Sequence, residues 1–152
     1  MSFPRAHNIG AFIKTQHATD NSSATAGGTG DNTQVVGQII DRTLIAYPLS
    51  AQLSLAYKAV LAQAATLSMA WKIEHGDASN LSDAATLQSD TSAVIETGGA
   101  GGSTNRGVFT KNIDLASAKR YVRISYTPDL SAANTDTFEG NAQLVFGGQD
   151  TL

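Results

Sequence analysis

Residues 67–74 read Leu-Ser-Met-Ala-Trp-Lys-Ile-Glu, with a large apolar side chain at every second position. Successive side chains of a β-strand point to opposite faces, so this alternation buries one face and leaves the other in water. The stretch ends at residues 75–80, His-Gly-Asp-Ala-Ser-Asn, which favour a turn. It therefore predicts a half-buried strand that places Trp71 in the core.

The same alternation recurs on both sides of this stretch and is interrupted by turn-forming residues such as Thr127-Pro128-Asp129. Gly140 is interpreted as a bulge within the last run. Roughly eight short runs predict an all-β domain, an antiparallel β-sandwich or jelly-roll-like fold. Apart from residues 67–74, the runs are 35–43, 53–59, 93–96, 108–115, 121–126 and 138–146.

Residues 51–66 fit two kinds of secondary structure. Their larger apolar side chains alternate as in a strand, but Leu53, Tyr57 and Val60 also lie at helical spacing among good helix formers. Strand is preferred because the alternation continues beyond this segment as far as Ile73. The helix stays open as an alternative.

The first part of the chain has a different composition from the rest. Residues 18–34 are rich in Gly, Ser, Thr, Asn and Asp and cannot bury enough apolar area to pack alone. We expect an extended N-terminal arm over 1–34 and a β-sandwich domain over 35–152. The patch around Phe12 is expected to dock on the body or on a neighbour by strand addition. A frayed terminus is the alternative.

Composition limits the classes of partner. Charged residues make up 15% of the chain, against about 25% in ordinary domains. The formal charge is -3 and the isoelectric point is near 5.4, which disfavours binding to nucleic acid. There is no cysteine, and neither a signal peptide nor a membrane-spanning run is evident. A soluble protein with no membrane partner is expected.

No constellation of catalytic or metal-binding residues emerges. The histidines are far apart, the acidic residues lack the spacing of a calcium loop, and the glycine-rich loop 98–104 lacks a phosphate-binding lysine. We therefore predict no enzyme activity, no metal site and no cofactor. The residues considered are His7, His17, His75, Asp77, Asp83, Asp90, Glu74, Glu96 and Asp114.

Basic residues are concentrated at one place, Lys119, Arg120 and Arg123. On a strand, Tyr121 and Arg123 share an outward face, where the guanidinium could bind acidic or main-chain oxygens of a partner. A strand face that only improves solubility is the alternative.

Two long stretches, residues 57–85 and 112–148, carry a family resemblance. The second contains an Asp-Leu step at 114–115, Arg-Tyr-Val-Arg at 120–123, Thr-Pro-Asp-Leu-Ser-Ala at 127–132 and paired glycines at 147–148. In these motifs the chain resembles the decoration (cement) proteins of tailed-phage capsids, from about Ser50 to the end. It departs from them at residues 62–66, Ala-Gln-Ala-Ala-Thr, where a glycine-containing turn would be expected between the central strands.

The resemblance implies a structural virion protein, synthesised in the host cytoplasm and located on the outer capsid surface. There it would stabilise the capsid by bridging neighbouring major capsid subunits, with self-association as a homotrimer. A glycan-binding or adhesin module and a tail-tube or connector subunit are the alternatives. Deleting residues 1–31 is expected to abolish binding without unfolding the body. The expected capsid or protomer contacts are Phe3, Pro4, Arg5, Phe12, Ile13, Lys14, Arg120 and Arg123.

Overall fold

The computed structural model describes residues 9–131 and 135–148. Nearly all of the secondary structure is β-strand, with one 3-10 helix at Ile9–Ala11 and another at Arg42–Ile45. In the described part of the chain, no helix is long and apolar enough to cross a membrane. The strands are β1 (Lys14–His17), β2 (Ser22–Thr25), β3 (Val35–Val36), β4 (Ile40–Asp41), β5 (Ser50–Leu61), β6 (Thr66–Gly76), β7 (Ala85–Thr97), β8 (Ser103–Asp114), β9 (Tyr121–Leu130) and β10 (Thr137–Gly147).

These strands form two antiparallel sheets. In the first sheet β10 pairs with β5 and β5 pairs with β8, while β1 and β2 both pair with the other side of β10. In the second sheet β9 pairs with β6 and β6 pairs with β7, while β3 and β4 both pair with β9. The prediction of an all-β antiparallel sandwich is confirmed.

The core lies between the sheets and is built from the alternate side chains that the sequence indicated. Trp71 is 3% exposed, which confirms its predicted place in the core. Tyr126 and Phe138 meet edge to face across the sheets, with ring centroids 6.3 Å apart. Each fully buried large side chain stabilises the fold by about 1.5–3 kcal/mol.

The β5 strand settles the alternative at residues 51–66. The helix interpretation is wrong, because β5 pairs continuously with β10 on one side and β8 on the other. The glycine-containing turn that the resemblance implies between the central strands is also absent, because β5 and β6 belong to different sheets. Residues 62–65 arch from one sheet to the other with Ala64 at φ 62°, so no glycine-containing hairpin turn is required.

The turn predicted at Thr127-Pro128-Asp129 is wrong, because these residues lie inside β9. Pro128 is paired with Met69 of β6, yet its carbonyl oxygen accepts a hydrogen bond from the N–H of Asn32 on the opposite side of β9. The missing N–H of the proline therefore also faces away from β6. The β6–β9 ladder loses no hydrogen bond.

Two smaller predictions also need correction. Gly140 is not a bulge, since β10 pairs with β5 and β2 through it without a register shift. It is glycine because a Cβ there would lie 2.6 Å from the Phe138 ring. The single run predicted over 35–43 is instead β3, β4 and the start of a 3-10 helix. A short segment, residues 37–39, separates the two strands.

The N-terminal segment covers the same side of both sheets. It pairs with β10 through β1 and β2, crosses over, and pairs with β9 through β3 and β4. The crossing is closed by a hydrogen bond from the N–H of Gln38 to the carbonyl of Ala18. The division into an arm over 1–34 and a domain over 35–152 stays a prediction.

The expectation that residues 1–31 can be deleted without unfolding the body conflicts with the strand pairing. Deleting residues 1–31 would remove β1 and β2 from the edge of β10, together with the buried side chains of Ala18, Ala24 and Ala26. It would also remove Asp31, whose Oδ1 accepts a hydrogen bond from the N–H of Leu130. We therefore expect that deletion to destabilise the body.

Candidate interaction surface

One end of the sandwich carries most of its unusual features. There β5 begins while β8 and β10 end, with Ser50 paired to both Asp114 and Gly147. In the second sheet β9 begins and β6 ends at the same place. Residues 42–49, between β4 and β5, close this end. Because Arg42 lies at its centre, we call it the Arg42 end.

Arg42 is a buried arginine that holds the loops of this end together. Its guanidinium donates hydrogen bonds to four main-chain carbonyl oxygens, those of Pro48 (2.7 Å), Lys119 (3.0 Å), Leu115 (3.1 Å) and Ala118. Burial lowers the pKa of Arg42, but arginine remains charged in proteins. Charge-assisted bonds of this kind are stronger than neutral ones, so residues 42–49 are fixed to the loop between β8 and β9.

The backbone of residues 42–49 is strained next to Arg42. Ala46 and Tyr47 both have positive φ angles, 58° and 47°, which side-chain-bearing residues rarely adopt. Such a conformation costs on the order of 1–3 kcal/mol per residue and persists where surrounding contacts impose it. Here the N–H of Tyr47 donates to the carbonyl of Arg42, and the Arg42 guanidinium lies 5.5 Å from the Tyr47 ring centroid.

This segment presents apolar side chains to solvent. Leu44 is 83% exposed, and Tyr47 and Leu49 are about half exposed. Ile9 and Phe12 are also exposed, and Phe12 comes near Leu49 at the end of β10: the carbonyl of Phe12 lies by Gly147, and the side chain of Leu49 lies by Gly148. Single exposed apolar residues are ordinary, but a group of them at one end of a domain is a candidate interaction surface. We call Ile9, Phe12, Leu44, Tyr47 and Leu49 the apolar end patch.

A charged pair lies at the border of the apolar end patch. Arg120 donates to Asp41 through Nη2 at 2.8 Å and through Nε at 3.1 Å. This bidentate contact holds the pKa of Asp41 well below its usual value. The guanidinium also lies 4.9 Å from the centroid of the Tyr121 ring. An apolar centre with a polar rim is the usual anatomy of a protein interface.

The predicted contact residues are only partly brought together. Phe12, Ile13 and Lys14 lie where β1 meets the end of β10, at the Arg42 end, and Arg120 lies at the same end. Arg123 lies on the outer face of the second sheet, where its Nη2 donates to Glu74 at 3.1 Å. Phe3, Pro4 and Arg5 lie outside the described residues.

The chain matches no family model and no curated protein. It is similar to solved structures of infectious bursal disease virus. With the structure of the Gx strain it shares 11% identity and a TM-score of 0.47 over 91% of this chain and 33% of that one. With the VP2 subviral particle it shares 13% identity and a TM-score of 0.45, again over 91% and 33%. The chain thus spans about a third of these proteins, and similarity at this level says nothing about function.

The histidines and acidic residues considered for chemistry do not converge. His17 contacts Asp20 at 3.0 Å, and His75 accepts a hydrogen bond from the N–H of Lys119. Lys119 lies 3.0 Å from Asp77 and occupies the space between that carboxylate and Asp83. Within residues 9–131 and 135–148, no three His, Cys, Asp or Glu side chains could hold a metal ion together. His7 lies outside these residues.

Sequence reasoning missed the central members of the apolar end patch, Leu44, Tyr47 and Leu49. A strand was predicted over 35–43, and no contact role was assigned to residues 44–49. The available signal was Asp41 followed by Thr43, which is typical of a capped helical turn: the Asp41 carboxylate accepts from the N–H of Thr43 at 3.0 Å. A helical turn would have broken the alternation and placed Leu44 outside the core.

Proposed function

We propose that this chain is a structural virion protein that binds the outer surface of a phage capsid through the apolar end patch. In this proposal it stabilises the capsid by bridging neighbouring major capsid subunits. The observation that carries the proposal is an exposed apolar group at the end of the sandwich where the buried Arg42 holds residues 42–49 against the β8–β9 loop. The resemblance to decoration proteins supplies the capsid as the partner.

A protein of this kind acts only through the contacts that it adds to the capsid. A specific interface buries about 800 Å² on each partner, and each large apolar side chain buried there contributes about 1.5–3 kcal/mol. The low charge of the chain reduces the cost of removing water from its surface. Repetition over a symmetric shell adds many modest interfaces, so disrupting the capsid requires breaking them as well.

The proposal sets the orientation of the protein on the particle. The Arg42 end faces the capsid, with Phe12, Ile13, Lys14 and Arg120 at the base, and the strands run outward. Phe3, Pro4 and Arg5 precede this base in sequence and are proposed to extend the same contact. Arg123 is proposed as a contact only for a neighbouring protomer, since it lies on a sheet face. The homotrimer stays a prediction.

A binding experiment with capsids that lack the protein tests the patch. Purified chain is sedimented with the capsids, comparing the wild type, Leu44→Ser and Val94→Ser. Val94 is the matched control, being an exposed apolar residue near the far end of β7. We expect Leu44→Ser to weaken binding about tenfold and Val94→Ser to leave it unchanged. Equal binding by all three proteins would refute the assignment of the patch.

The glycan-binding alternative has one observation in its favour, the exposed rings of Phe12 and Tyr47, since aromatic rings stack on sugars. Saccharide binding that is lost in Tyr47→Ala, in a chain that does not sediment with capsids, would favour it. A tail-tube or connector subunit would be found only in the tail of imaged virions.

A further inference from the structure

The two sides of the sandwich differ in whether their edge strands are covered. On one side, residues 14–41 cover the edges of β10 and β9, while on the other side β7 and β8 are the outermost strands of their sheets. Long uncovered edges are a hazard because they template pairing with another chain. The β7 edge is interrupted by three register shifts in its pairing with β6, which make it irregular. The β8 strand pairs with β5 over all of Ser103–Asp114 without a shift.

The direction of the main-chain groups on β8 follows from one hydrogen bond. The side chain of Gln88, on β7, donates to the carbonyl oxygen of Asn112 at 3.3 Å, so this carbonyl points away from β5. Main-chain groups alternate sides along a strand, so those of the other even-numbered residues of β8 also point to the free edge. A second strand could pair there after displacing only the Gln88 amide.

The exposed charges on β8 determine which second strand would be complementary to its free edge. Arg106 and Asp114 are both exposed on the outer face, four residues before and four residues after Thr110. Within the described part of the chain, neither belongs to an ion pair. When β8 is paired antiparallel with a second β8 centred on Thr110, Arg106 lies directly opposite the partner's Asp114. Symmetry makes this contact twice.

We propose that two copies of this chain pair antiparallel through β8 with Thr110 on the two-fold axis. The pair extends the first sheet of one copy into the first sheet of the other. Opposite charges directly across an antiparallel pair are stabilising, and other registers centred on β8 lose both contacts. The two Arg42 ends then point in opposite directions, so this dimer is a state of the free protein and differs from the predicted homotrimer.

A chain without cysteine allows a direct test by oxidative cross-linking of single-cysteine variants. In the proposed register, residue 110 faces itself with Cα atoms about 5.5 Å apart, within disulfide range. Residue 104 lies about 40 Å from its symmetry mate, because 12 residues of strand separate them. We expect Thr110→Cys to give covalent dimers and Thr104→Cys, its exposed control on the same strand face, to give none. Equal cross-linking of both variants, or of neither, would overturn the proposal.

Charge reversal supplies a second test that needs no capsid. Sedimentation equilibrium of the wild type should show a monomer–dimer equilibrium, weakened about tenfold by Arg106→Asp and restored by Arg106→Asp combined with Asp114→Arg. Circular dichroism confirms that each variant is folded. A trimer, a monomer at every concentration, or a double variant no better than the single one would contradict β8 pairing. None of these results depends on whether the chain binds capsids.

Discussion

At Gly37 two strands of main chain come too close to accommodate a side chain. A Cβ at this position would lie 2.5 Å from the carbonyl oxygen of Ile124 and 2.7 Å from that of Ala18. We expect Gly37→Ala to lower the free energy of unfolding by about 3 kcal/mol, because the N-terminal segment must move away from both sheets. Gly99→Ala is the control, since its Cβ would meet only Ser103, at 3.8 Å. Chemical denaturation measures both, and equal stability would contradict the close approach.

The buried Arg42 allows a second prediction for a single residue. Arg42→Met removes the donor that satisfies four carbonyl oxygens at the Arg42 end. We expect a loss of about 3–5 kcal/mol of unfolding free energy, as for other broken buried charge contacts. Lys58→Met, at an exposed position on β5, should change stability by less than about 0.5 kcal/mol. Similar denaturation midpoints for the two variants would show that the hydrogen bonds of Arg42 do not stabilise the fold.

The ion pair of Asp41 and Arg120 predicts a pH dependence. Hydrogen bonding to Arg120 lowers the pKa of Asp41 in the folded protein. A carboxyl group of this kind contributes stability that is fully present above its unfolded pKa, about 3.9, and is lost as the pH falls further. Asp41→Asn keeps an oxygen to accept from Thr43 but removes the charge. The difference in Tm from the wild type should be largest near pH 7 and smaller near pH 3, where only part of the contribution is lost, because the folded carboxyl is protonated only well below its usual pKa. A constant difference would contradict the ion pair.

Residue-level function was only partly predictable from the sequence. Trp71 was placed in the core because its position follows from local alternation. The role of Arg42 was not foreseen, because its acceptors lie up to 77 residues away along the chain. Arg120 and Arg123 are neighbours in sequence but contact Asp41 and Glu74, on different strands. Their different partners follow from the register in which β9 pairs with its neighbouring strands, and the sequence alone does not give that register.

Among the elements, the N-terminal segment makes the clearest prediction. A variant that begins at residue 9 retains every described strand, whereas one that begins at residue 32 lacks β1 and β2 and exposes the edge of β10. We expect the second to unfold at a lower temperature than the first and to aggregate. Scanning calorimetry with light scattering measures both. A stable, soluble chain beginning at residue 32 would contradict this account.

The strands with a regular pleat were the ones that sequence reasoning found. β5, β6 and β10 alternate cleanly because each is buried on one face. β7 was recognised only at residues 93–96, because its bulges shift the pattern and most of its side chains are exposed. The extent of β9 was missed because a proline is tolerated where its lost N–H faces away from β6. The alternation of apolar residues along the sequence indicates which side chains are buried, but it does not indicate which strands pair with each other.

At the scale of the whole molecule, the sandwich could be predicted from the sequence, but the apolar end patch could not. The alternation specifies two apolar sheet faces that must cover each other, which is sufficient for the fold class. The apolar end patch is assembled from residues 9–12 and 44–49, which meet only because β1 lies beside the end of β10. The domain boundary at residue 34 and the homotrimer stay predictions.

The central claim is that a rigid β-sandwich adds contacts to a capsid through its Arg42 end. Imaging of purified virions at subnanometre resolution tests it most directly. The account predicts density for this chain on the outer capsid surface, over the junctions between major capsid subunits, with Leu44 and Phe12 facing the shell. Density found only in the tail, absent from the particle, or docked with the Arg42 end pointing away from the capsid would contradict it.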